Sequence, residues 1–358
     1  MTAPPPPPIR ERARSLGLIV LALLALAARR AEGPEGFARA SSPMGRPAAR
    51  SGRFSSTIEA AGHRWSYVVH APGQADGDRP LPLILALHGS SGSGEGFLDD
   101  AGWAELADRE GVIVVAPDGL PLRPSAVPNR AVNPRIWNSG QHPEDRPRSR
   151  VDDLAFFDAL LAEVAATWPV DPGRIYAVGH SNGGAMALRL GAERPGVFSA
   201  VASVAGLRYV DPPEGARAVP MLTIFGGADP LLPTEGGLSI LPWEVRRTPE
   251  ILPELRRYAA ALGCPAVPVG FLHQEDVHFF TFPPGRGGAT LSLVLLDRHG
   301  HGWPGGRAQP GEVLMIGPRT DAIDATEVIW DFFDGQGLDL DANPGPANAD
   351  LPTTPGPT

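Results

Sequence analysis

The chain has no lysine and only one cysteine. All 31 basic residues among its 358 are arginine, set against 40 acidic residues for a net charge of −9. An arginine-only basic set reflects genomic base composition. The missing lysine also excludes a phosphate loop of the G-x-x-x-x-G-K-[ST] kind. With acid in excess and no basic block in the body of the chain, nucleic acid is not an expected partner. One thiol, Cys264, cannot close an intramolecular disulfide, so stability has to come from the core. Cys264 is expected to sit quietly at the end of a helix. The nine histidines are scattered, and His299 and His301 have no carboxylate or cysteine set beyond Asp297. No metal site and no cofactor is therefore expected. Internal repeats are absent too.

What is present begins with an export-like N-terminus. Arg10, Arg12 and Arg14 precede an apolar run from Leu16 to Ala28 broken by Gly17 alone, and Ala25-Leu26-Ala27 offers a cleavage site. The run falls short of the about 20 residues a membrane span needs. The expectation is a signal peptide over 1–28, a secreted or periplasmic product and no stable membrane association after cleavage. An uncleaved anchor is the alternative, because Arg29-Arg30 follows directly. No cysteine near the cleavage site excludes a lipid-modified N-terminus. Residues 29–52 and 336–358, rich in Pro, Ala, Gly and Arg or Asp, read as a disordered linker and tail.

Between them, 53–335 reads as one catalytic domain with alternating strands and helices. Phe54–Ala60 and Arg64–His70 suggest an opening antiparallel pair. Leu81–Leu87, Val112–Ala116, Arg174–Gly179, Ala200–Val204, Met221–Phe225 and Leu291–Leu296 are short apolar runs of the kind found in buried parallel strands. Helices are expected over Trp103–Glu110, Pro249–Leu262, Asp324–Phe333 and Asp152–Trp168, the last with Leu154, Phe157, Leu161, Val164 and Trp168 at helical spacing. Such alternation implies an α/β fold with a mostly parallel sheet covered on both faces. Two irregular segments, 120–150 and 230–248, interrupt it. Both leave the C-terminal ends of strands, where open α/β sheets bind ligands, and are candidate walls or lids of a pocket.

Gly179-His180-Ser181-Asn182-Gly183-Gly184 carries the chemistry. It follows one apolar strand and opens a small-residue helix, the context of a nucleophile elbow around G-x-S-x-G. A serine there stands in a strained turn at the positive end of a helix. It needs a base, an orienting carboxylate and an oxyanion hole. In chain order the acid follows the serine, and Asp229 comes just past the strand 221–225; Asp211 and Asp276 read as surface residues. The base belongs after the last core strand, where His299 and His301 compete. His301, embedded in Gly300-His-Gly-Trp-Pro-Gly305, is favoured. The oxyanion donors are the N–H of Asn182 and a second one from Leu87-His88-Gly89-Ser90-Ser91, with Ser90 ahead of Ser91.

These residues, with Trp137-Asn138, Val151-Asp-Asp-Leu-Ala-Phe156 and Gly226-Gly-Ala-Asp-Pro230, resemble the polyhydroxybutyrate depolymerase and feruloyl esterase-like group of α/β-hydrolases over about residues 60–335. The resemblance implies an α/β-hydrolase fold and a secreted serine esterase working through an acyl-enzyme. Ser181 would be nucleophile, Asp229 acid and His301 base. It also implies substrate contacts at Trp303, Trp137 and His88. Many relatives carry cysteines after the early His-Gly and before the Asp-Asp helix; Ser90 and the stretch 141–150 stand there instead. Polymeric or small esters are the expected substrates. Two other readings stay open: a serine peptidase of the same fold, and a non-catalytic binding protein that kept it.

Overall fold

Each apolar run finds its burial in a neighbour of the same kind. The computed structural model describes residues 51–335 except 78, 143 and 308–312. The expected signal segment, almost all of the linker and the tail lie outside the described residues. The first strand begins at Gly52, at the last position assigned to the linker.

Ten strands form one sheet: β1 (Gly52–Ala60), β2 (His63–Ala71), β3 (Leu81–Leu87), β4 (Ile113–Pro117), β5 (Val170–His180), β6 (Ala200–Val204), β7 (Met221–Gly226), β8 (Gly270–Gln274), β9 (Val277–Thr281) and β10 (Leu291–Leu296). Their spatial order is β1-β2-β4-β3-β5-β6-β7-β10-β9-β8. The six central strands from β4 to β10 run parallel, and antiparallel pairs close both edges. The edge pair β8–β9 has no counterpart in the sequence reading. Its strands are short and mix His, Gln and Phe, so they lack the apolar run that marks a central strand.

Seven of seven residues in β3 are buried, because helices cover both faces. Leu83, Leu85 and Leu87 point into one core layer with Phe156, Phe157, Leu160 and Tyr258. Ile84 and Ala86 point into the other with Trp103, Leu106, Ile329 and Phe333. The first layer lies under α3 (Asp153–Thr167), α4 (Asn182–Glu193) and α5 (Ile251–Leu262). The second lies under α1 (Gly94–Asp100), α2 (Trp103–Glu110) and α6 (Ala325–Asp334). The period-2 alternation of a strand thus serves two cores at once. Side chains start the helices: Ser93, Asp152 and Asp324 accept first-turn N–H groups of α1, α3 and α6. Cys264 is buried and free just past α5.

The register places the chemistry. Leu87 pairs with Gly179, and Gly226 pairs with Leu296. The residues that follow β3, β5, β7 and β10 therefore emerge together at the C-terminal edge of the sheet.

Candidate active site

Ser181 stands between β5 and α4 with φ 53° and ψ −119°. A non-glycine residue in that region is strained, and the strain has to be held by its surroundings. The neighbours hold it by close approach. A Cβ on Gly183 would lie 2.2 Å from Leu87 O, and one on Gly179 would lie 2.3 Å from the Gly183 carbonyl. Only glycines let the helix start pack onto the strand ends. The Ser181 N–H is fixed on Val204 O at 2.7 Å. The serine side chain makes no cap, so its oxygen is turned to the site.

His301 reaches it. His301 Nε2 lies 2.7 Å from Ser181 Oγ, and Nδ1 lies 2.6 Å from Asp229 Oδ2. The other Asp229 oxygen accepts the N–H groups of Leu231 and Leu232 at 2.7 and 2.8 Å. Burial by itself would raise the Asp229 carboxyl. His301 and those two amides outweigh it and hold the group below the usual carboxylate range. A carboxylate that stays ionised at Nδ1 sets the tautomer in which Nε2 accepts the serine proton. The acid and base loops touch at Gly226, where a Cβ would lie 2.2 Å from the carbonyls of His299 and Gly300.

The competing histidine has a different task. His299 is buried, accepts the Thr320 N–H on Nδ1 at 3.0 Å and bonds Gly302 O through Nε2 at 3.1 Å. It braces the His301 loop. Asp211 pairs with Arg208 and Arg257, and Asp276 with Arg298, both away from the triad.

The three residues expected to contact substrate are all buried. Trp137 is fully buried: its ring stacks with Trp65 at 6.4 Å and its N–H donates to His88 O at 2.9 Å. His88 is 1% exposed. Its Nε2 accepts the Gly119 N–H at 2.9 Å and its Nδ1 meets Gly89 O at 2.7 Å. Burial pushes the ring down to about 4, which keeps it neutral for that double duty. Trp303 packs edge-on against Phe97 and Trp103 and donates to Thr326 Oγ1. All three shape the loops from behind, because large aromatic groups this close to the strand ends have a core to fill first.

In the loop after β3, Ser91 has φ 68° and its N–H is bonded to Arg135 O. The Ser90 N–H takes no backbone acceptor among the described residues. Asn182 opens α4, and its side chain holds the segment 120–150: Oδ1 accepts Trp137 N–H at 2.6 Å and Nδ2 donates to Trp137 O at 3.1 Å.

Two positions went unread in the sequence. His180, the variable residue of the elbow, donates from Nε2 to the His301 carbonyl at 2.5 Å, and burial pushes its ring down to about 3. Nothing in a G-x-S-x-G pattern marks that residue. Arg148 makes a two-pronged pair with Asp153 and also donates to Ile136 O, every group at 0% side-chain exposure. The Asp-Asp segment was the available signal for this pair.

A model of the Esterase family, described as "Putative esterase", matches residues 58–243, more than half of the chain. The chain belongs to this family. The matched stretch holds Ser181 and Asp229 and ends before His301. Among curated relatives, "Putative esterase NocK" of Nocardia uniformis subsp. tsuyamanensis is 30% identical over 311 residues, 81% of this chain and 85% of that protein. Feruloyl esterase C of Emericella nidulans is 28% identical over 179 residues, 49% of this chain and 58% of that enzyme. The chain thus spans less than two thirds of that feruloyl esterase. Of solved structures, an S-formylglutathione hydrolase from Agrobacterium tumefaciens aligns with TM-score 0.52 at 16% identity, over 80% of this chain and 94% of that one. An acetyl xylan esterase from Aspergillus awamori aligns at 0.50 and 14%, over 69% and 94%. At such identities these structures establish the α/β-hydrolase fold alone.

Proposed function

We propose that the protein is a serine carboxylic ester hydrolase that works through an acyl-enzyme. The observation that carries this reading is the unbroken line Ser181 Oγ–His301 Nε2–Asp229 Oδ2, at 2.7 and 2.6 Å, on a strained elbow. His301 Nε2 takes the Ser181 proton as Oγ attacks the ester carbonyl. The N–H groups of Asn182 and Ser90 receive the oxyanion, each worth on the order of 3 kcal/mol of barrier. His301 returns the proton to the leaving alcohol. Water, deprotonated by the same histidine, then attacks the acyl carbonyl, and His301 passes that proton to Ser181 Oγ as the acid is released. Asp229, bonded to two amides and to Nδ1, stabilises the imidazolium formed in each half-reaction.

The name of the feruloyl esterase relative supports a feruloyl-like acyl group. The apolar N-terminal run supports export, with action on esters outside the cytoplasm. The test is hydrolysis of p-nitrophenyl esters across acyl chain lengths, methyl ferulate, a polyhydroxybutyrate film and a peptide amide. Ester cleavage with no amide cleavage is the expected pattern. Amide cleavage exceeding ester cleavage would move the reading to a peptidase.

A further inference from the structure

Outside the triad, one line of side chains joins the elbow to a distant two-stranded ribbon, Gly237–Leu241 paired with Glu244–Thr248. It starts on the Asn182 side chain. Asn182 Nδ2 donates to Ser139 Oγ at 3.2 Å. Ser139 Oγ donates to Gln141 Oε1 at 3.3 Å. Gln141 Nε2 meets His142 Nε2 at 3.2 Å, and His142 Nδ1 meets Glu244 Oε1 at 3.2 Å.

One proton arrangement satisfies all four contacts. An amide nitrogen only donates, so His142 Nε2 accepts. The neutral ring then carries its hydrogen on Nδ1 and gives it to Glu244. Every donor points the same way, outward from Asn182, and the line ends on a carboxylate. Burial works to raise the Glu244 carboxyl, and the His142 bond is the largest influence that holds it below its usual range.

The line is shielded at both ends, with Ser139 0% exposed and the side chains of His142 and Glu244 at 2% and 6%, while Gln141 between them is half-buried. In such a setting hydrogen bonds polarise one another and act as a set. Glu244 Oε2 has no other partner among the described residues, so His142 is what holds this carboxylate inward. The opposite face of the ribbon, with Leu238, Ile240 and Val245, is exposed.

We infer that Glu244 and His142 are positioning residues for the oxyanion asparagine, the ribbon holding Asn182 in place through Gln141 and Ser139. This rests on the Ser181 reading and extends it: the ribbon belongs to the machinery that sets kcat rather than to a wall that sets KM.

The test is steady-state hydrolysis of p-nitrophenyl acetate by the wild type, Glu244→Ala and Glu244→Gln, with rates counted per fluorophosphonate-titrated site. Removing an oxyanion donor costs about a hundredfold or more, so displacing one should cost less. Glu244→Ala is expected to lower kcat about five- to twentyfold at unchanged KM. Glu244→Gln keeps an acceptor for His142 and should restore most of it. An unchanged kcat per site in Glu244→Ala, or a raised KM at unchanged kcat, overturns the proposal alone. A wild type that takes up no fluorophosphonate and cleaves no ester overturns the Ser181 reading and this one with it. Independently, NMR of 15N-histidine-labelled wild type, with His142→Gln to assign the signal, should find His142 in the Nδ1–H tautomer. The Nε2–H tautomer would overturn the line of bonds itself.

Discussion

The two irregular segments leave the same edge of the sheet, yet they are fastened in different ways. Residues 120–150 are held from below. Asn182 grips both the N–H and the carbonyl of Trp137, Trp137 grips His88, and the buried Arg148–Asp153 pair ties the segment's end to α3 and to Ile136. Asn138 adds two bonds to the carbonyls of Ser149 and Val151. The ribbon 237–248 presents exposed aliphatic residues outward and meets the first segment through His142 and Glu244. An insertion thus becomes part of a rigid site when its polar groups are matched inside the fold, whatever its lack of regular structure.

The comparison can be broken most forcefully at the Arg148–Asp153 pair. Arg148→Met leaves the Asp153 carboxylate buried without its partner, which costs on the order of 3–5 kcal/mol. Urea unfolding should register the loss. The double variant Arg148→Met/Asp153→Leu should regain a large part of it, because no charge is then left alone. A single variant as stable as the wild type would mean that the segment is held by something else.

Acid should loosen the same region from its root. Burial keeps His88 at about 4 and His180 at about 3, both below the ordinary 6.5. Between those values the unfolded chain binds protons that the folded one refuses, so stability is full above the ordinary histidine value and falls as pH drops through it. For these two residues the loss between about pH 7.5 and 5.5 is about 3 kcal/mol, and His299, also lowered by burial, adds to it in the same direction. Asp229 adds nothing in that window, since its ordinary carboxylate value of 3.8 lies below it. Denaturant titrations at the two pH values check the slope, and His88→Gln should make it shallower by that residue's share. A flat profile would mean that neither ring is kept neutral by burial.

The smallest effect belongs on the ribbon's outer face. Leu238→Ser and Ile240→Ser should change stability by no more than about 0.5 kcal/mol. They should also leave hydrolysis of soluble esters unchanged, in contrast to Glu244→Ala on the inner face. A large loss would show that this face is covered in the working protein.

This contrast also marks what could be read without a structure. The central strands were legible because burial on both faces leaves near-continuous apolar runs such as Leu81–Leu87. Ser181, Asp229 and His301 were legible because each needs a fixed place just after a strand. The burial of His88, Trp137 and Trp303 was not legible, since an aromatic group near a site looks the same in sequence whether it faces the pocket or the core. His180, Arg148 and the line from Asn182 to Glu244 depend on contacts between distant segments and leave no periodic or local trace. The edge strands β8 and β9 were missed for a related reason: their mixed composition carries no signal of burial.

The central claim is that Ser181 is the nucleophile. A fluorophosphonate probe should label the wild-type protein at one residue, Ser181, identified by peptide mass. Ser181→Ala should lose the label, and ester hydrolysis should fall by on the order of 10⁴ or more. Labelling at another residue, or hydrolysis retained in Ser181→Ala, would contradict the account.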